Sequence, residues 1–476
     1  MDLDVEPPSL PMLPFAEAGD CRETMAHSSL VDVGLEHDEV GCDIEEEGGT
    51  HAWLVVAACS FGQFLTASLM GWGIFLIVFL DQFGESVSET SLVGSICVGF
   101  TLGAGPVAST LCNLLTHRVT CILGSIIMTT GYVISAFAPN IFVLYFSYGF
   151  LIGSGGACLV VSSGVMASFY FQNKRQLVTG FVIAGCGVGG LVFPLIVNYL
   201  VLELTWRGAM LILGGISLQG CVAGALMRPK QTKPKRFSGH TEETKTTKKQ
   251  KSKLENKFCD TSLLKNWIFL AFALIQSIRG VHSFIVFTTL PDRILSQGFT
   301  QSQGAHLLAF AGISSTIGRV LIGVFANYVP IKATTLLGIM CYLQAASILP
   351  LAFDLPSFGV LCVISAFYGA AYGMSMTLLP TATIELFGLD RTTVAYGYFV
   401  CGEGLGGFIG PPIAGVLYDV AGAYSASFLT ASAIALLGGI LSIPVYLAQR
   451  RRFHDIQLHG RSNMDPGSLA KQSIEP

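Results

Sequence analysis

The feature that most constrains this chain is a succession of apolar runs, each of membrane-crossing length, repeated twelve times between residues 52 and 448. A helix needs roughly 20 apolar residues to cross a ~30 Å hydrocarbon core. Runs fitting that length lie at 52–80, 92–115, 119–138, 141–168, 177–202 and 208–227, then at 267–290, 303–328, 332–352, 358–380, 394–418 and 426–448. Hydrophobic residues make up 51% of the chain and charged residues 12%, about half the charged share of a soluble domain. The expectation is an all-α, polytopic membrane protein. Its 54 glycines suit helices packed closely in lipid, where small residues let backbones approach.

The polar segments divide the runs six and six. Residues 1–50 are acidic, ending in Asp43-Ile44-Glu45-Glu46-Glu47, with neither the basic start nor the apolar core of a signal peptide, and read as a disordered cytoplasmic tail. A six-helix bundle is expected over 51–228 and another over 266–449. Between them, 229–265 carries Lys245, Lys248, Lys249, Lys251, Lys253 and Lys257 in a cytosolic linker, and 450–476 forms a second tail behind Arg450-Arg451-Arg452. Loops after even-numbered runs hold His117-Arg118, Lys174-Arg175, the linker, Lys332 and Arg391. The opposite side shows Asp81, Glu85, Glu89, Glu203, Asp292, Asp354 and Asp419. By the positive-inside rule both termini are then cytoplasmic. The lysine run is a solvated loop, at most touching anionic lipid, and not a nucleic-acid site. The 13 cysteines stand singly, without CxxC or metal spacing, and no nucleophile cluster occurs. Neither an enzyme nor a metal or other cofactor is expected.

Charges inside the runs are few, and they carry the functional argument. Arg319 lies in Leu307–Ala326, LLAFAGISSTIGRVLIGVFA. At membrane depth an arginine costs about 2.5–3.5 kcal/mol on insertion scales and cannot lose its proton, so it must meet a carboxylate, backbone carbonyls or a passing anion. Gln276, Arg279 and His282 share one face of the seventh run. They form either a cavity wall suited to an anionic or zwitterionic ligand or a buried network that satisfies itself. Glu403, in Cys401-Gly402-Glu403-Gly404, is a buried acid able to carry a proton or to hold helices together, and His282 is a second candidate for proton coupling. Glu385 is placed beyond the cytoplasmic end of the tenth run, near Arg391, in a gate or topology cluster. Phe64, Phe75, Tyr145 and Tyr148 offer an apolar wall or plain packing. Pro106, Pro194 and Pro411-Pro412 remove backbone donors inside runs and are expected to bend them.

Two six-helix halves joined by a long cytosolic loop resemble the major facilitator superfamily, whose substrates sit at mid-membrane between the halves. Local motifs narrow the resemblance. Tyr170-Phe171-Gln172-Asn173-Lys174-Arg175-Gln176-Leu177, followed by Gly180, Ala184-Gly185 and Val188-Gly189, looks like the signature of the monocarboxylate porter family. Trp206-Arg207-Gly208, Leu211-Ile212-Leu213-Gly214-Gly215, Gly224-Ala225-Leu226-Met227-Arg228-Pro229 and Gly410-Pro411-Pro412 with Asp419, Gly422 and Tyr424 extend the match to both halves. Gly180, Gly185 and Gly189 read as a close helix crossing, and Lys174-Arg175 as a cytoplasmic anchor.

The resemblance implies a secondary transporter of a small monocarboxylate at the plasma membrane, possessing a carboxylate-binding arginine at Arg319 and, for some members, a single-span immunoglobulin-type chaperone. Glu403 matches a family glutamate. Departures mark a divergent member. The opening acid-Gly-Gly-Trp-Gly-Trp motif survives only as Gly48-Gly49-Thr50-His51-Ala52-Trp53. Ile74 stands where proton-coupled members have a lysine, and Ser315 where they have an aspartate one turn before the arginine. Proton-linked transport, facilitated movement of a zwitterion such as an amino acid, creatine or carnitine, and a non-transporting sensor on a transporter scaffold therefore all stay open. No Asn-x-Ser/Thr acceptor occurs, so glycosidase treatment of the expressed protein is expected to leave its electrophoretic mobility unchanged.

Overall fold

A computed structural model describes residues 49–228, 263–329, 331–354 and 357–462. The acidic tail, nearly all of the basic linker and the last residues fall outside that range. Within it every regular element is helical. α1 is Thr50–Phe83, tightened by a 3₁₀ turn at Ala67–Gly71. α2 joins Val87–Gly103 to Gly105–Leu115, bent by 46° just ahead of Pro106, where the missing donor was expected to act. α3 is His117–Ala136, and α4 is Ile141–Phe169 with a π-helical stretch at Tyr145–Ile152.

Helix then runs from Arg175 to Leu226, 52 residues, or about 78 Å at 1.5 Å per residue. That is too long for one crossing. Thr205, at φ 65° and ψ 166°, breaks it into α5 (175–204) and α6 (206–226). Contacts show the reversal. Gly185, Gly189 and Val197 of α5 lie against Ser60, Phe64 and Gly71 of α1 in parallel order. Gly220 and Met227 of α6 meet Leu65 and Gly62 in the opposite order.

The second set is α7 (Trp267–Ser296), α8 (Gln301–Tyr328), α9 (Ala333–Ala352), α10 (Phe358–Phe387), α11 (Leu389–Ala421) and α12 (Ser425–Ser462). Among the described residues ten helices are individually long and apolar enough to span, and the bent α2 makes eleven. Dividing the long helix at Thr205 brings the total to twelve.

Helix ends follow local chemistry. Ser86 with Glu89, and Thr300 with Gln303, form capping boxes that satisfy first-turn donors of α2 and α8. Gly84 and Gly422, both at φ 66°, close α1 and α11 in the left-handed conformation. Large apolar side chains such as Ile77, Leu195, Val363 and Phe408 are exposed, as expected where lipid is the solvent.

The two halves meet chiefly along α5 with α8 and α2 with α11. A Cβ on Gly180 would lie 3.0 Å from the Gly323 Cα, and one on Gly105 would collide with the Gly397 carbonyl. Tyr396 of α11 covers Gly164 of α4, and His117 Nε2 pairs with Thr393 Oγ1 at 3.1 Å. These contacts run from mid-bundle to the end bearing His117, Lys174 and Arg391. There Lys174 is exposed, and Arg175 opens α5 by donating to the Ser168 and Phe171 carbonyls at the end of α4. Arg391 sits exposed in the first turn of α11.

Glu385 requires a correction. It does not lie beyond the tenth span, because α10 continues through Pro380 to Phe387. Its carboxylate accepts from the backbone N–H groups of Ala333 at 2.8 Å and Thr334 at 3.2 Å. A neighbouring helix thus caps α9, whose own N-cap position is Lys332, a side chain with no acceptor.

Glu385→Ala is expected to lower stability by about 1–2 kcal/mol, the usual cost of a lost cap, and Glu385→Gln by less, as read by thermal unfolding of the purified protein in detergent. Gly185→Val drives a side chain into the Ser60 carbonyl of α1. It is expected to cost more than about 3 kcal/mol, beyond ordinary overpacking, and to appear as loss of monodisperse protein on size exclusion.

Candidate functional site

Three arginines lie buried in the second half: Arg293, near the end of α7, pairs with Asp354 at 3.0 Å, and the other two stand in different electrostatic situations. Arg279 of α7 is 1% exposed and fully engaged. Its Nη2 donates to Glu403 Oε2 of α11 at 2.7 Å, its Nε to Gln276 Oε1 at 2.8 Å, and its Nη1 to Ser375 Oγ of α10 at 3.4 Å. Gln344 of α9 donates to the same serine oxygen at 3.1 Å, and Ser375 donates to the Tyr372 carbonyl at 2.8 Å. Four helices are joined by this one network.

Glycine makes the pairing possible. A Cβ at Gly280 would collide with the Glu403 carbonyl, and Gly406 and Gly410 press on Ser277 and Val281 in the same way. α7 and α11 therefore run backbone to backbone, and the short span from Arg279 to Glu403 follows. Three buried polar atoms around the network have no protein partner: Gln276 Nε2, Gln344 Oε1 and His282 Nε2. His282 is fully enclosed one turn from Arg279, with Nδ1 3.5 Å from Ser283 Oγ.

Arg319 of α8 is 8% exposed. It makes one side-chain hydrogen bond, from Nη1 to the Ile183 carbonyl of α5 at 3.1 Å, while its buried Nε has no partner. No Asp or Glu among the described residues is within ion-pair distance of it. Gly187 of α5 faces the guanidinium, and a Cβ there would stand 3.1 Å from Nη1. The arginine thus lies in the seam between the halves, and its charge acts on Glu403 and Tyr372. Ser315, one turn earlier, packs its hydroxyl on Gly373 of α10, where any Cβ would meet the Ser315 carbonyl. No hydrogen bond joins it to the guanidinium.

The site residues expected from sequence thus separate into two groups. Gln276, Arg279 and Glu403 come together, with His282 one turn away, whereas Arg319 stands apart at the seam. Of the aromatic wall candidates, Phe75 and Tyr148 are fully buried in the first-half core with Ile74 beside them, and Phe64 packs on Phe193. Tyr145 donates its hydroxyl to the Glu89 carbonyl. Sequence reading missed Gln344, Ser375 and Tyr372. Gln344 carried the one available signal, being a lone amide in an apolar run, since such a group has to find a partner in lipid.

The sequence matches the Major Facilitator Superfamily over residues 52–399 and 333–464. It is 26% identical to human monocarboxylate transporter 14 (84% of this chain, 94% of that protein), 28% to human monocarboxylate transporter 12 (88% and 84%) and 29% to rat monocarboxylate transporter 13 (85% and 91%). Among solved structures, the human organic anion transporter MFSD10 aligns with a TM-score of 0.63 at 15% identity, covering 82% of this chain and 99% of that one. The outward conformation of the transporter FucP aligns with a TM-score of 0.62 at 17% identity, covering 83% and 99%. With twelve helices in two sets of six and relatives matched over most of its length, this chain belongs to the major facilitator superfamily, as a divergent member beside the monocarboxylate transporters.

Proposed function

We propose that the protein is a secondary transporter that moves a small organic monocarboxylate across the plasma membrane by alternating access, with both termini in the cytoplasm. The observation that carries this reading is Arg319: a permanent cation, buried between the halves, with one carbonyl for company and an unpartnered Nε. A planar guanidinium with free donors suits a carboxylate, which accepts two parallel hydrogen bonds from it. The charge balance points the same way. Arg279 and Glu403 neutralise each other, which leaves one positive charge for a monoanion to match. The buried acid that could meet a zwitterion's cationic end, Glu403, is committed to Arg279, which leaves only aromatic faces for that role. Names among the relatives and structural neighbours, monocarboxylate and organic anion transporters, agree with an anionic cargo.

The Ile183 carbonyl belongs to the first half and Arg319 to the second. As the halves part at this seam the guanidinium loses that carbonyl, and a substrate carboxylate takes its place. Substrate binding is thereby linked to rearrangement of the halves. Delivery to the cell surface by a single-span immunoglobulin-type chaperone follows family expectation and is separable from transport.

The test is uptake of a labelled panel (lactate, pyruvate, creatine, carnitine and aromatic amino acids) into cells with the surface-expressed protein. Loss of a charge-assisted contact costs about 1.5–3 kcal/mol. Arg319→Ala is therefore expected to raise KM for the transported carboxylate about 10- to 100-fold, with Arg319→Lys intermediate. A surface-expressed protein that moves no member of the panel, or an Arg319→Ala variant with normal kinetics, overturns the reading in favour of a sensor.

A further inference from the structure

An acid that carries a proton through an alternating cycle has to be charged at one stage and neutral at another, with water reaching it in between. Glu403 is the acid deepest in the second half, 3% exposed, and its surroundings fix it in one state. Oε2 takes a charge-assisted bond from Arg279 Nη2 at 2.7 Å. Arg279 is itself sealed from water and has no other acid to turn to, because its remaining hydrogen bonds go to Gln276, Ser375 and the Met376 sulfur. Protonating Glu403 would strand a guanidinium in a medium of low dielectric, which costs more than keeping the pair.

The other charged and titratable groups acting on these two side chains or on the site around them are Arg319 of α8, His282 of α7, Cys341 of α9, Tyr368 and Tyr372 of α10 and Tyr396 of α11. None is a second carboxylate that could relieve Arg279.

Geometry then adds a condition that charge alone does not supply. Both partners lie in the same half, on helices joined backbone to backbone at Gly280, Gly406 and Gly410. Rigid-body rocking of one half against the other stretches the bond from Arg319 to Ile183 but leaves the Arg279–Glu403 pair intact. No stage of the cycle releases Glu403.

We propose that Arg279 determines the coupling of this transporter: by holding Glu403 as a permanent internal counter-ion it removes the acid from proton traffic, and the monocarboxylate moves without a proton. The flux arm of the test rests on the transport reading above, whereas the spectroscopic arm does not.

The spectroscopic arm is infrared difference spectroscopy on the full-length protein in liposomes, comparing neutral with mildly acidic buffer and reading the C=O stretch of a protonated carboxyl. Wild type and Arg279→Lys are expected to show no protonated band assignable to Glu403. Arg279→Gln, which takes away the cation bonded to the acid and leaves only the more distant Arg319, is expected to show one, taken up from bulk solvent, and Arg279→Gln/Glu403→Gln to lose it.

In the flux arm, uptake of labelled lactate and pyruvate is expected to be flat with pH in wild type. In Arg279→Gln it is expected to rise on acidification by up to about tenfold per pH unit, the limit for one proton per cycle, and in the double variant to be flat again. A wild-type protonation band abolished by Glu403→Gln overturns the proposal. So does acid-stimulated wild-type uptake abolished by that substitution, or a folded Arg279→Gln protein that stays proton-insensitive in both arms. Should Arg279→Gln fail to fold, the comparison of wild type with Glu403→Gln still decides. If wild type moves no member of the labelled panel but the infrared results hold, the transport reading fails and the fixed pair stands.

Discussion

Charge is hard to place inside a lipid-solvated bundle, and the second half of this protein is arranged around that constraint. Arg279 is matched by Glu403 at 2.7 Å and braced by Gln276 and Ser375. Glycines at 280, 406 and 410 draw α7 and α11 together until the match is possible. Remove that approach and the arginine has no acid within reach. Arg319 shows the complementary solution. It has a single backbone carbonyl from the opposite half, a weaker partner than a carboxylate and one that a moving seam takes away.

These two arrangements divide the labour of the site. The paired arginine fixes the internal geometry of one half, with polar atoms from four helices tied together. The other stands where the halves meet, with donors to spare. A transporter needs both kinds of charge, since a bundle that deformed internally as it rocked would not deliver a defined site to either side of the membrane. The glycines follow the same division. Gly185 and Gly189 join α5 to α1 within the first half, while Gly180 touches Gly323 across the seam.

Much of this was legible in the sequence. Run lengths located most helix ends to within a few residues, because about 20 apolar residues is a demand of the bilayer itself, although α10 and α12 continue 7 and 14 residues past the ends expected at 380 and 448. The basic linker expected between the two sets of six lies almost wholly outside the described residues, and Arg319 announced itself as a charge with no local partner. The reversal at Thr205 was legible as the gap between the runs ending at 202 and starting at 208, marked by Glu203 and Arg207. Its form was not, because a positive φ at threonine is imposed by tertiary packing. The Arg279–Glu403 pair was hidden, with 124 residues between its members. Opposite charges in lipid are expected to find one another, but which pairs form is settled by helix neighbours that periodicity does not specify. Glu385 was misplaced for a related reason. Pro380 looked like an end to α10, yet the helix continued, and the acid serves a helix that begins 52 residues earlier in the chain.

The seam combines two kinds of contact. Gly105 against Gly397 and Gly180 against Gly323 bring the main chains of the two halves together on either flank with no side chain between them. Beside them Ala108, Val161 and Val165 of the first half share an apolar core with Tyr396 and Phe399 of the second, and Tyr396 covers Gly164. The glycines set the distance and register of the closure, whereas the shared core supplies its apolar burial. Parting the halves at this end has to withdraw an aromatic side chain and wet an apolar surface, so side chains tune the strength of the closure while backbone keeps its geometry.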